Sequence, residues 1–144
     1  MADTKRHQAI NLATRLATHT KPWNPECLLT VDQQSHSFKI AKFLGAFPWH
    51  SHLNTDETFL VVNGGPIRIE LNTTATTPEE ADGQGASEVV ELGQGEMFCV
   101  PRGMQHRPVA ECEAGVLMVE RVGTVNTGER EGSGMRVDVD EEGR

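Results

Sequence analysis

The 144-residue sequence contains no tyrosine, three cysteines and no apolar run that approaches the length of a membrane span. A transmembrane helix needs about 20 consecutive apolar residues, so no membrane segment is expected. The odd number of cysteines and the lack of a Cys-x-x-Cys pair argue against a disulfide framework. Cys27, Cys99 and Cys112 are therefore expected to be free thiols in a reducing compartment. The lack of tyrosine removes one common acid-base or radical-forming side chain.

Basic residues are also scarce. The chain has 13 Lys and Arg residues against 21 Asp and Glu residues, and its formal net charge is −8. Nucleic-acid-binding proteins usually carry a basic face, and no Lys/Arg-rich run occurs here, so no nucleic-acid partner is expected. The N-terminal segment lacks the apolar core of a signal peptide. The default expectation is a cytoplasmic protein.

One helical pattern precedes a series of short β patterns. Residues 5–18 place apolar side chains at a helical period, with Asp3 or Thr4 as candidate caps. From Cys27 onward, short apolar runs separated by turn residues predict about eight to ten strands. The clearest predicted strands cover residues 27–31, 38–43, 58–63, 66–71, 88–92, 96–101, 106–110 and 115–122.

This pattern predicts an all-β single domain, a sandwich or a barrel, with an N-terminal helical arm. The arm is expected over residues 1–26 and the β-barrel over residues 27–122. Residues 72–87 are polar, acidic and rich in Gly and Thr, which predicts a mobile surface loop within the barrel. Residues 123–144 carry further glycines and many charges, which predicts a flexible C-terminal tail that either wraps the barrel or a partner or is disordered.

Two histidines near the middle of the chain are candidate metal ligands. His50 and His52 are separated by one residue, and residues two apart on a strand point to the same face. The sequence thus predicts a strand that carries both imidazoles toward one point. The turn over residues 53–56 would reverse the chain, so the Glu57 carboxylate would lie beside them. Asp56 is a candidate acceptor for an imidazole N–H.

His106 is the fourth candidate ligand, because it begins a strand after a tight turn at residues 101–103. With His50, His52 and Glu57 it makes a set of three imidazoles and one carboxylate. Such ligands suit Fe, Mn, Ni, Cu, Co or Zn, and ligand type alone does not select among these divalent metals. Four protein ligands on an octahedral ion leave two positions for water, a bidentate substrate, or a substrate and dioxygen.

The spacing of these residues resembles the two sequence motifs of the cupin superfamily. The segment from Gly45 to Gly64 resembles the first motif: a glycine, a short spacer, His-x-His, three or four residues, Glu, six residues and a glycine. The segment from Gly95 to His106 resembles the second, although Ala110 stands where the motif ends in Asn. The form is similar to small single-domain cupins often described as mannose-6-phosphate-isomerase-like. The resemblance implies a jelly-roll β-barrel that holds one metal ion, and a homodimer.

A substrate pocket is expected above the metal. Apolar strand residues and two polar residues of the turn before His106 are its candidate lining, and the polar pair could orient a substrate carboxylate or phosphate. These candidates are Phe38, Ile40, Phe59, Val61, Phe98, Arg102, Gln105 and Met118. Trp49 has the opposite parity to His50, so it is expected to point away from the metal.

The resemblance does not select a reaction, because one fold hosts many functions. The first hypothesis is a metal-dependent enzyme acting on a small organic substrate that chelates the metal, with a dioxygenase ranked above an isomerase, cyclase or decarboxylase. Glu57 is the candidate catalytic residue, as a ligand or as a base. The second hypothesis is a non-catalytic cupin that binds a small ligand. A sugar-phosphate isomerase would need clustered Lys or Arg, for which only Arg102 and Arg107 lie nearby.

Overall fold

Antiparallel strands joined by short turns make up most of residues 8–141, the part of the chain that the computed structural model describes. The elements are α1 (Leu12–Leu16), β1 (Glu26–Val31), β2 (His36–Ala46), β3 (Glu57–Gly64), β4 (Ile67–Asn72), α2 (Pro78–Gln84), β5 (Glu88–Leu92), β6 (Met97–Val100) and β7 (Gln105–Arg121). Within this described part, no helix is long and apolar enough to cross a membrane. The predicted all-β jelly roll is confirmed, and its sheet does not close completely.

The long strand β7 organises the sheet. It pairs with β2 along most of its length, with β3 over its second half and with β4 over its first half. The sequence predicted two strands here, over residues 106–110 and 115–122, and that prediction is wrong. Residues 111–113 are exposed, which interrupts the apolar pattern, but the backbone continues as one strand.

The helix α1 is much shorter than the predicted helix over residues 5–18. It begins after Asn11, whose side-chain oxygen accepts a hydrogen bond from the Thr14 N–H at 2.9 Å. The alternative caps Asp3 and Thr4 lie outside the described residues. Leu16 packs against Leu28 and Ile40, so the helix covers the outer face of β1 and β2.

The segment over residues 72–87, predicted as a mobile surface loop, contains the helix α2. Thr77 caps this helix by accepting a hydrogen bond from the Glu80 N–H, and Pro78 occupies the first turn. Ala81 is completely buried and packs with Trp49. This helix was not predicted because its sequence is polar: only one small apolar residue, Ala81, is buried against the rest of the domain.

At Gly64, the end of β3 lies very close to the backbone of β7. A Cβ atom there would lie 2.5 Å from the Glu113 carbonyl oxygen, and φ is +69°. We expect Gly64→Ala to lower the free energy of unfolding by about 2–3 kcal/mol, because strain and overpacking add. Gly83→Ala is the control, since its Cβ meets nothing within 4 Å, and it should raise stability by about 0.5–1 kcal/mol in a helix. Urea unfolding measures both, and equal stabilities would contradict the expectation.

Candidate metal centre

The two histidines of the His-x-His pair lie on an extended loop between β2 and β3, not on a strand. A single backbone bridge fixes this loop: the His50 N–H donates to the His106 carbonyl at 3.0 Å, and the His106 N–H donates to the His50 carbonyl at 2.8 Å. The predicted strand is therefore wrong, although the extended backbone still brings both imidazoles to one site. The bridge also joins the two sequence motifs directly.

Four side chains converge at this bridge, and all are buried: His50, His52, Glu57 and His106. Each offers one ligand atom, and these atoms all lie within 4.8 Å of one another. The Glu57 Oε1 atom lies 3.3 Å from His106 Nε2 and 3.4 Å from His52 Nε2. Because three nitrogens and one oxygen surround a common point, the cluster could hold a metal ion.

Backbone carbonyls select the imidazole tautomers. The His50 Nδ1 atom lies 2.8 Å from the Pro48 carbonyl, and the His106 Nδ1 atom lies 2.9 Å from the Met104 carbonyl. A carbonyl only accepts hydrogen bonds, so both Nδ1 atoms carry the proton and both Nε2 lone pairs face the site. The buried His52 Nε2 atom has no hydrogen-bond partner. These features fit nitrogen ligands held ready for a metal.

Asp56 does not play the predicted part of an imidazole acceptor. Its Oδ1 atom accepts a hydrogen bond from the Arg102 backbone N–H at 2.9 Å and lies 3.5 Å from the guanidinium. Both side chains are more than half exposed, so Arg102 lies at the surface and not in the pocket. Gln105 is buried, and its amide nitrogen lies 3.2 Å from the Ser51 hydroxyl.

The electrostatics of the cluster favour deprotonated ligands. Burial, together with His106 and His52, lowers the pKa of His50 well below its usual value, so this imidazole is neutral near pH 7. Burial opposes ionisation of Glu57, but the neighbouring His52, Glu120 and His106 side chains hold its pKa well below the usual range. A metal ion needs these two protonation states, because protons compete with it for the same lone pairs.

Neither a protein-family model nor a curated protein matches this sequence. Solved structures do match. A cupin-2 domain containing protein from Shewanella frigidimarina is 26% identical with a TM-score of 0.65, over 81% of this chain and 97% of that one. NMB1881 from Neisseria meningitidis is 26% identical with a TM-score of 0.61, over 79% and 99%. The chain has the cupin fold. A third match, to hydroquinone 1,2-dioxygenase from Sphingomonas sp. TTNP3, has 19% identity and a TM-score of 0.68, over 86% and 80%.

The jelly roll also buries an ion pair that the sequence did not reveal. Lys39 on β2 and Glu120 on β7 are 2% and 3% exposed, and the Lys39 Nζ atom lies 2.8 Å from the Glu120 Oε1 atom. Glu141 lies 3.6 Å from the same ammonium. The only available signal was strand parity, since Lys39 shares a face with Ala41 and Phe43. Both faces of β2 are partly buried, so parity alone did not select the inner one.

The charges around the ion pair do not balance. Burial opposes the charge on Lys39, but Glu120 and the other nearby carboxylates raise its pKa, so it remains an ammonium. Burial and the adjacent Glu57 raise the pKa of Glu120 well above its usual range, against the effect of Lys39. The three carboxylates, Glu57, Glu120 and Glu141, face one ammonium. When all are ionised, two negative charges remain, which matches the charge of a divalent cation.

A pocket opens beside His50 and Glu57, with about 440 Å³ of empty space when its mouth is included. Its walls are mainly apolar and include the aromatic residues Trp23, Phe43, Phe47 and Phe59. The other lining residues are Pro25, Lys39, Ala41, Pro108, Met118, Glu120 and Asn126.

The predicted lining residues fall into three groups. Phe59 and Met118 line the pocket. Val61 is buried in the main core, and the half-buried Phe98 packs against that core. Phe38 and Ile40 lie on the opposite face of β2, where Ile40 packs under α1, so that part of the prediction is wrong. The inner face of β2 is the one that carries Lys39.

The segment after β7 supports the loop that carries the histidines. The Glu129 N–H donates to the Ser51 carbonyl at 2.9 Å, and the Arg130 guanidinium donates to the Trp49 carbonyl at 3.0 Å. Arg130 also lies 3.2 Å from Asp82 on α2. The two carbonyls that flank His50 therefore have donors from the C-terminal segment, which was predicted as a flexible tail.

Gly128 shows how closely this segment approaches the loop. A Cβ atom there would lie 2.0 Å from the Ser51 carbonyl oxygen and 3.1 Å from the His52 Nδ1 atom, and φ is +58°. We expect Gly128→Ala to displace the loop and weaken metal binding by about tenfold or more, as changes around metal ligands commonly do. Chelator competition with added Zn²⁺ measures the affinity.

Gly132→Ala is the matched control. Gly132 also has a positive φ, +69°, but a Cβ atom there meets nothing within 4 Å. The backbone strain is therefore similar and the contact with the loop is missing, so the Zn²⁺ affinity should stay near that of the parent. An equal loss of affinity in both variants would show that strain, not contact with the loop, is responsible.

Proposed function

We propose that this protein is a metal-dependent enzyme that acts on a small organic substrate bound to the metal, and that its reaction is a dioxygenation. The observation that carries the proposal is the buried cluster of His50, His52, Glu57 and His106 beside an apolar pocket. A divalent transition metal held there would supply Lewis-acid chemistry and would bring substrate and dioxygen together.

The residues around this cluster would perform the remaining tasks. The carbonyls of Pro48 and Met104 orient His50 and His106, so these ligands need no rearrangement when a metal binds. Glu57 is ionised and reaches both the cluster and the pocket, which suits the predicted role of a ligand or a base. The aromatic walls exclude water from one side of the substrate.

Two matched structures support the choice of oxygen chemistry. Both are hydroquinone 1,2-dioxygenases, one with 4-hydroxybenzoate bound and the other, PnpCD, with Cd²⁺ and 4-hydroxybenzonitrile. Their identity to this chain is 19% and 20%, so they show the shared fold, and the activity is carried over here only as a proposal. Phenols are accordingly the first substrates to test.

Other reactions remain alternatives: a metal-dependent isomerase, cyclase or decarboxylase, or a cupin that binds a small ligand without catalysis. A sugar-phosphate isomerase has little support. Lys39 is the sole cation among the described pocket residues, and it is already paired with Glu120. Arg107 binds Glu70 and lies over the Trp49 ring. A homodimer stays a prediction.

The metal itself is the first test. Elemental analysis of untagged protein should find about one divalent metal ion per chain, and His106→Ala should lose it, because removal of one ligand opens a buried site. His36→Ala is the control, since His36 is exposed and is not a member of the cluster. Iron, copper or nickel would favour oxygen chemistry, and zinc would favour Lewis-acid chemistry. If the parent protein takes up no metal even after reconstitution, the metalloenzyme proposal is wrong.

Oxygen uptake is the second test. Protein loaded with Fe²⁺ should consume dioxygen when a dihydroxybenzene is added, and the rate should fall by at least about a hundredfold in His106→Ala. An oxygen electrode records uptake, and mass spectrometry of the product should show both oxygen atoms when ¹⁸O₂ is used. A protein that binds metal and phenol but consumes no oxygen would instead support the non-catalytic binding alternative.

A further inference from the structure

Glu120 and Lys39 form the polar end of the pocket. They do not belong to the cluster of four candidate metal ligands. The register of β3 and β7 explains their position. Thr58 on β3 pairs with Val119 on β7, so Glu57 and Glu120 follow on adjacent strands and share the inner face. A ligand in the pocket therefore meets the metal cluster and the Glu120 carboxylate together.

The Lys39 ammonium is already surrounded by acceptors of the protein, with two hydrogen bonds and one further ion pair. An ammonium has three donors, and the Lys39 Nζ atom has three neighbouring acceptors: the Glu120 Oε1 atom at 2.8 Å, the Thr124 carbonyl at 3.3 Å and the Glu141 Oε2 atom at 3.6 Å. Lys39 thus fixes the orientation of Glu120 and does not act as a free anion-binding site.

Glu120, in contrast to Lys39, has one polar atom available to a ligand. One of its oxygens accepts a hydrogen bond from Lys39, but its Oε2 atom is buried without a hydrogen-bond partner. Buried acceptors nearly always have a partner, so an orphaned carboxylate oxygen on a pocket wall indicates a missing donor. The Glu57 carboxylate beside it is an acceptor as well, and it belongs to the cluster that could hold the metal.

We propose that Glu120 accepts a hydrogen bond from a hydroxyl group of the ligand, whose other oxygen binds the metal. This inference rests on the proposed function and narrows its substrate class to dihydroxylated aromatic compounds. The ring of such a ligand would pack against walls that include Trp23, Phe43, Phe47 and Phe59. A ligand with a carboxylate in place of this hydroxyl would bind more weakly. Its carboxylate would face the Glu120 and Glu57 carboxylates, and Lys39 is already paired with Glu120.

Ligand binding to full-length protein loaded with Co²⁺ tests this inference without turnover. Under anaerobic conditions, the visible spectrum of the cobalt reports binding of phenol, of the three dihydroxybenzenes and of 4-hydroxybenzoate. In the parent protein, at least one dihydroxybenzene should bind about tenfold or more tightly than phenol, since a hydrogen bond to a buried charged acceptor is strong. 4-Hydroxybenzoate should bind more weakly than that dihydroxybenzene.

Glu120→Gln should remove the preference. Glutamine keeps the size of the side chain, but it loses the charge that accepts the hydroxyl. The ratio of the two dissociation constants, phenol over dihydroxybenzene, should fall about tenfold, while the cobalt content stays that of the parent. Chelation of the metal by 1,2-dihydroxybenzene persists in the variant, so the fall in the ratio isolates Glu120.

A second variant covers a failure of Glu120→Gln to fold. Lys39→Met/Glu120→Leu replaces the buried ion pair by apolar groups of similar volume, an exchange that buried ion pairs often tolerate. It should show the same fall in the ratio. The inference is overturned if no dihydroxybenzene binds more tightly than phenol, if the ratio is unchanged in both variants, or if 4-hydroxybenzoate binds best. Failure of the parent to bind cobalt, or of every compound tested to perturb its spectrum, would overturn the proposed function as well.

Discussion

Backbone pairing along β7 determines where the site residues lie. The first residues of this strand include His106, whose backbone bridge to His50 closes the end of the barrel. Its last residues include Glu120, which faces Lys39 on β2 and lies beside Glu57 on β3. One continuous strand therefore connects the metal cluster to the polar end of the pocket. Because both ends belong to one strand that is paired with β4 in its first half and with β2 and β3 in its second, their separation is set by the sheet.

The burial of negative charge is the second constraint. The three carboxylates Glu57, Glu120 and Glu141 approach one ammonium, and a buried charge without compensation is strongly unfavourable. Burial and the adjacent Glu57 accordingly raise the pKa of Glu120, because its neutral form avoids part of that cost. A divalent cation would compensate the same charge without a proton.

Much of the fold and the four ligand residues could be predicted from the sequence, because both depend on local patterns. Alternation along β4 placed Ile67, Ile69 and Leu71 inside, and these residues are almost completely buried. The spacing of the histidines and Glu57 reflects the bridge between the His50 loop and β7, so it survives even though the predicted strand is absent. What the spacing specifies is the distance between ligands, not the secondary structure that provides it.

The inner face of β2 could not be predicted, for a physical reason. Ile40 is covered by α1, and Lys39 lies on the other face of the strand, where it is buried at the pocket wall. Because both faces are buried, the pattern of polar and apolar residues does not show which face points inward. A buried lysine also contradicts the usual rule that charges lie outside. Its partners, Glu120 and Glu141, are 81 and 102 positions away along the chain, and only the folded sheet brings them together.

The predicted mobile loop, residues 72–87, and the predicted flexible tail after β7 both have a structural role at the site. The loop that carries His50 and His52 belongs to no strand, and its carbonyls at Trp49 and Ser51 need donors from elsewhere. Those donors come from the segment after β7, and Arg130 ties that segment to α2 through Asp82. A loop can hold metal ligands precisely enough only if its backbone is fixed on both sides. The bridge to His106 fixes one side, and the C-terminal segment with α2 fixes the other.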